Sequence, residues 1–73
     1  MKITYDQKVD ALYIRLLEGD FQCRTVRISD TAALNIGPAE QLVGVEILDA
    51  SKTLSLGTNP RIDLENLTAK LAG

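Results

Sequence analysis

The carboxylates Asp6 and Asp10 stand four residues apart near the start of the chain. They share one face if the intervening turn is helical. Paired carboxylates can divide the roles of general acid and general base, or they can bind a hard cation. A magnesium or calcium site normally needs three or more oxygen ligands, and no third acid is close in sequence. The spacing therefore favours a capped turn with two solvated acids.

A second polar cluster stands where the apolar part of the chain ends. Glu46 lies on the less apolar side of a predicted strand, and residues 49–52 leave that strand. Lys52 could fix an anionic ligand, but Asp49 with Ser51 is typical of a turn or of the start of a short helical turn. An alternative function, a small carboxylate-dependent metal-binding or enzymatic domain, would use Asp6, Asp10, Glu46 and Asp49.

Two residue types that usually carry catalysis are scarce. The chain has no histidine and a single cysteine, Cys23. Without histidine it cannot build a Ser-His-Asp or Cys-His nucleophile, and it lacks the usual general base at neutral pH. A zinc site would have to rest on carboxylates, which is unusual, and no intramolecular disulfide is possible. We therefore expect no cofactor and no metal, and a non-enzymatic role rather than an enzyme.

The arginines Arg15, Arg24 and Arg27 fall on neighbouring predicted strands and could form a basic patch for acidic or phosphate groups. However, 8 basic residues stand against 10 acidic ones, which gives a net charge of −2. Phosphate binding needs a concentrated basic field, so nucleic acid is not the expected partner. No apolar run approaches the roughly 18 residues of a membrane span, so we expect a cytoplasmic protein with no membrane contact.

Alternating apolar and polar residues predict the elements that position these groups. They indicate strands over residues 2–5, 11–17, 23–29, 32–36 and 42–48. The short loops between them favour antiparallel pairing, because a parallel crossover needs about a dozen residues. The simplest topology is a meander of sequential hairpins. Gly44, inside the last strand, suggests a bulge or the close approach of a neighbour.

The C-terminal residues carry helix signals at both ends, with Asp63 as N-cap and Gly73 past the last turn. An alternative start has Asn59 as N-cap and Pro60 at the first helical position. The predicted fold class is α+β, mainly β: an antiparallel meander sheet of four to five strands with one short C-terminal helix packed against it. A single domain, 1–73, contains the sheet (1–50), an extended connection (51–62) and the helix (63–72).

The predicted strands share one apolar face. It comprises Ile3, Tyr5, Leu12, Ile14, Leu16, Val26, Ile28, Leu34, Ile36, Val43, Val45 and Ile47. A helix of about ten residues is only about 15 Å long and covers part of such a face. A chain this short has little stability margin, and the usual disulfide and metal are absent. We therefore expect a homo-oligomer, with a dimer favoured. The opposite face mixes Tyr13, Arg15 and Glu46, which suits an interface with a polar rim.

Two blocks of the sequence resemble the DUF2283 family of small bacterial proteins. The first is Tyr5-Asp6 followed by residues 10–16, DALYIRL, and the second is residues 42–52, LVGVEILDASK. The resemblance implies a small β-rich domain in the bacterial cytosol and suggests an antitoxin-like role beside a small protein partner. It implies no activity and no catalytic residues. The chain departs from the family at residues 37–41, GPAEQ, where an acidic glycine-containing turn is common.

Three functions are compatible with these residues: a self-associating interaction module, a carboxylate-dependent enzyme or metal-binding domain, and a nucleic-acid binder. The first agrees best with the wide apolar face and the missing catalytic groups. The candidate ligand or partner surface comprises Asp6, Asp10, Tyr13, Arg15, Glu46, Asp49 and Lys52.

Overall fold

A computed structural model describes residues 1–54 of the chain. They form one antiparallel five-stranded sheet and a short helix, which confirms the predicted α+β, mainly β class. The observed strands agree with the predicted ones to within two residues at each end. The elements are β1 (Lys2–Asp6), β2 (Ala11–Arg15), β3 (Arg24–Arg27), β4 (Ala32–Ile36), β5 (Leu42–Ile47) and α1 (Ala50–Thr53).

The strand order is β1-β2-β5-β4-β3, which differs from the predicted meander at one connection. Strands β3, β4 and β5 follow one another as hairpin neighbours, and β5 then pairs with β2, as in a Greek key. After β2 ends, the chain stays beside β5. The backbone N–H groups of Leu16 and Leu17 both donate to the carbonyl of Val43, at 2.8 and 3.3 Å. Residues 16–23 then cross to β3, a lateral step of about 14 Å at a strand spacing of about 4.8 Å.

The strand registers place the apolar residues on one side. A single row runs across all five strands, because each of its members is the cross-strand partner of the next. The row consists of Ile3, Ile14, Val45, Leu34 and Val26. We call this side of the sheet the apolar face, and the side that carries Tyr13 and Glu46 the polar face.

A β-bulge between β4 and β5 moves Val43 off the predicted apolar face. Asn35 pairs with Gly44, but the next residue of β4 pairs with Leu42, so Val43 is an extra residue in β5. Leu42 therefore lies on the apolar face. Val43 lines a cavity beside Tyr13 on the polar face and is 2% exposed. The prediction for Val43 was wrong because strict alternation holds only in an uninterrupted strand.

Gly44 is confirmed as a site of close approach. A methyl group at Gly44 would collide with the ring and hydroxyl of Tyr13 and would lie 3.0 Å from the carbonyl oxygen of Ile14. The Tyr13 ring therefore crosses directly over the backbone of β5. Its hydroxyl accepts a hydrogen bond of 3.0 Å from the side-chain amide of Asn35, which fixes the ring over the glycine.

Helix α1 corrects the first three residues of the predicted extended connection 51–62, which are helical. Asp49 adopts a left-handed φ of 50°, and the N–H of Thr53 then donates to its carbonyl at 2.8 Å to close the turn. The rest of that connection and the predicted helix 63–72 lie outside the described residues. No helix within residues 1–54 is both long and apolar enough to cross a membrane.

Candidate functional site

The predicted site residues fall into two regions of the structure. Tyr13, Arg15 and Glu46 lie on the polar face, because Tyr13 pairs directly with Glu46 and Arg15 with Gly44. The others lie at the end of the sheet where the β1–β2 turn meets α1. They are Asp6, Asp10, Asp49 and Lys52.

Asp10 connects three parts of the chain through its carboxylate. The Tyr5 hydroxyl donates to Oδ1 at 2.6 Å, and the backbone N–H of Ser51 donates to the same oxygen at 3.0 Å. The Ser51 hydroxyl donates to Oδ2 at 2.6 Å. The carbonyl of Asp10 also accepts the N–H of Ala50 at 2.9 Å. We call Tyr5, Asp10 and Ser51 the Asp10 clamp, since they tie β1, the first turn and α1 together.

The clamp shifts the pKa values of two of its members in opposite directions. The Ser51 hydroxyl, and then the Tyr5 hydroxyl, stabilise the carboxylate and hold the pKa of Asp10 below its ordinary value, with a smaller contribution from the charge of Lys52. The same contact with Asp10 raises the pKa of the Tyr5 hydroxyl. A carboxylate with a lowered pKa is a weak base near neutral pH. The cluster therefore suits a structural joint better than acid–base catalysis.

The remaining acids within residues 1–54 do not complete a metal site. Asp6 accepts the backbone N–H of Lys8 at 3.0 Å, which confirms the capped turn. The second acid of that prediction, Asp10, is bonded to Tyr5 and Ser51 instead of to solvent alone. Asp49 makes no side-chain hydrogen bond to the start of α1. Across residues 1–54, no three carboxylate, thiol or imidazole groups come together where they could hold a metal ion.

An open cavity of about 400 Å³ lies on the polar face beneath the segment that joins β2 to β3. Tyr13 and Arg15 supply its sheet side, and Phe21 and Cys23 belong to the crossing segment. The guanidinium of Arg15 donates through Nε to the carbonyl of Leu17 at 2.9 Å and through Nη2 to that of Gly19. Arg15 thus holds the crossing segment against the sheet.

The three arginines do not form the basic patch that their positions suggested. Arg24 pairs with Ile36 on the apolar side, whereas Arg27 and Arg15 lie on the polar face, and β2 and β3 are not neighbours. Arg24 also forms a salt bridge of 2.6 Å with Glu40, and both side chains are exposed. The strand order therefore disperses the positive charge.

Sequence reasoning missed several partners in these two regions. Tyr5 and Ser51 were not predicted as partners of Asp10, because Ser51 is 41 positions away from it. The one available signal was that all three residues stand in the two blocks that resemble the DUF2283 family. Phe21 was also missed at the cavity, since its segment was interpreted only as one of the short loops between the predicted strands.

Large apolar side chains remain exposed at the margins of the apolar face. Ile3 and Tyr5, both on the edge strand β1, are 40% and 44% exposed. Leu42 at the start of β5 and Ile28 just after β3 are also exposed. All five residues of β1 are exposed, so this strand is the most open part of the sheet.

Comparisons with known proteins identify a family but no characterised relative. A family model described as "Protein of unknown function (DUF2283)" matches residues 2–51. The match covers β1 to β5 and all three residues of the Asp10 clamp. No curated protein and no solved structure matches the chain.

Proposed function

The chain belongs to the DUF2283 family, and from its own surfaces we propose that it is a non-enzymatic protein-interaction module that associates with a second copy of itself. The observation that carries this proposal is the exposure of the outer strand β1. This outer strand exposes all five of its residues and presents Ile3 and Tyr5 on the apolar face. Exposed strands with apolar side chains commonly pair with other chains.

The chemistry of the other candidate regions supports a binding role over catalysis. The carboxylate of Asp10 is occupied by Tyr5 and Ser51, and Arg15 is occupied by backbone carbonyls. These groups hold the fold together and are not free to act on a substrate. A cytosolic setting and a small protein partner, which the family resemblance suggests, are part of the same proposal.

Light scattering after gel filtration, over a range of protein concentrations, tests the proposal. We expect a concentration-dependent dimer. The substitution Ile3→Thr should weaken it, because it removes exposed apolar area while keeping a β-branched side chain. Val9→Thr is the matched control, since Val9 is also exposed but lies in the turn after β1. A wild-type protein that stays monomeric at every concentration would refute self-association.

A further inference from the structure

We propose that the second copy joins the sheet along β1, antiparallel and with its two-fold axis at Thr4, so that Lys2 of each copy lies opposite Asp6 of the other. This inference rests on the proposed self-association and specifies its geometry. The two copies would then share one continuous ten-stranded sheet.

Among residues 1–54, no strand lies on the outer side of β1. Within this described part, β1 is the first strand in the sheet order and pairs with β2 alone. Its register with β2 is unbroken from Lys2 to Asp6, and it contains no proline and no bulge. Each antiparallel neighbour added to such an edge gains main-chain hydrogen bonds. This gain is needed, because two apolar side chains per copy expose far less than the roughly 800 Å² per partner of a standard interface.

The sequence of β1 is complementary to itself in one register. Antiparallel pairing about Thr4 sets Lys2 opposite Asp6, Ile3 opposite Tyr5, and Thr4 opposite its own copy. The charged pairs and the threonines fall on the polar face, and the Ile3–Tyr5 pairs fall on the apolar face. Opposite charges and aromatic–β-branched pairs are favourable cross-strand neighbours.

Other registers lose this complementarity. A shift by one residue would set the apolar side chains of one copy opposite polar side chains of the other. The apolar side chains of the added strand would then lie on the polar face. A shift of two places Lys2 opposite Thr4 and removes both ion pairs. Asp6 remains able to bind Lys2, because its contact with the Lys8 N–H uses only Oδ1.

Charge substitutions test the register directly. Lys2→Glu sets two acids opposite each other in both halves of the interface, and we expect it to raise the dimer Kd at least about tenfold. Asp6→Lys sets two cations opposite each other and should have the same effect. When the two variants are mixed, each acid meets a cation again, so we expect a heterodimer in native mass spectrometry. Lys8→Glu is the control, because it makes the same charge change in the turn outside β1.

Asp6→Lys also removes the acceptor for the Lys8 N–H. If circular dichroism shows that this variant unfolds, Lys2→Glu combined with Asp6→Asn replaces it, since asparagine keeps the turn acceptor and removes the repulsion. That double variant should associate more tightly than Lys2→Glu alone. Equal association of the Lys2→Glu and Lys8→Glu variants would overturn the register while leaving a wild-type dimer intact. A monomeric wild type would overturn both proposals.

Discussion

The two outer strands of the sheet, β1 and β3, differ in their length and in the charges at their ends. β3 is four residues long and has arginine at both ends, with Arg24 bound to Glu40. A short edge strand with a positively charged residue at each end discourages pairing with another copy. β1 is five residues long and carries opposite charges at its ends, Lys2 and Asp6. One edge is therefore protected and the other is complementary to itself, so we expect the proposed association to stop at a pair of copies.

The same two strands also differ in how they are attached. The Asp10 clamp ties β1 to α1 through two oxygens of one carboxylate. Within residues 1–54, the side chains of β3 make the exposed Arg24–Glu40 salt bridge, a hydrogen bond of 3.2 Å from Thr25 to Asn35, and two long contacts of 3.4 Å from Arg27 to the carbonyls of Ser29 and Asp30. Exposed ion pairs contribute little to stability. The edge proposed to bind a second copy is thus the better anchored one.

Gly44→Ala should have the largest effect on stability. It should destabilise the two outer strands, β1 and β3, to the same extent, because β5 lies in the middle of the sheet between β2 and β4. The added methyl group would displace Tyr13 and lower the free energy of unfolding by about 1–3 kcal/mol. Thermal unfolding followed by circular dichroism measures the loss. In a Tyr13→Ala background the same substitution should be much less harmful. Equal losses in both backgrounds would show that the Tyr13 contact is not the cause.

Acid should weaken the β1 side selectively. The folded pKa of Asp10 is below its ordinary value of 3.8, so its contribution to stability is present above that pH and is lost as the pH falls through the folded pKa. Asp10→Asn should remove this part of the acid loss, and asparagine tolerates the left-handed φ of 53° that Asp10 adopts. The measurement is the melting temperature against pH for both proteins. Parallel curves below pH 3.8 would contradict the role of the clamp.

Alkali tests the other partner in the clamp. The pKa of Tyr5 is raised above 10.0, so its contribution is present below that pH and is lost as the pH rises through the folded value. Tyr5→Phe should be less stable than wild type at neutral pH, and the difference should shrink in alkali. Hydrogen exchange should show that Tyr5→Phe lowers the protection of backbone amides in β1, relative to wild type, and leaves the protection in β3 unchanged. Uniform exchange in both strands would argue against a local joint.

The smallest change in stability is expected at β3. Replacing Arg24 and Arg27 by threonine should alter the free energy of unfolding by no more than about 1 kcal/mol, because the salt bridge is exposed. It should nevertheless unblock the second edge, so that light scattering detects species larger than a dimer. A strictly dimeric double variant would show that charge is not what protects β3.

The strands were predictable because turn residues and alternation are local signals. Leu34 and Ile36 alternate with Asn35, and this pattern placed β4 at its observed ends. The strand order was not predictable, since the pairing of β2 with β5 depends on contacts that no local pattern encodes. The bulge at Val43 had Gly44 as its only sign. The Asp10–Ser51 contact requires the assembled sheet, because it spans 41 positions.

The pairing of β2 with β5 also has a consequence for the order of folding. It sets Leu12 opposite Ile47, which is 35 positions away in the sequence. Within the β1–β2 hairpin and within the β3–β4–β5 unit, by contrast, consecutive strands are joined by short turns. Closing long loops is entropically unfavourable, so we expect both units to form first and to dock late. Leu12→Val should then mainly accelerate unfolding in stopped-flow experiments, and Val26→Ala should slow folding. Until docking, β2 and β5 are both open edges, and the hairpin of one copy can enter the sheet of another.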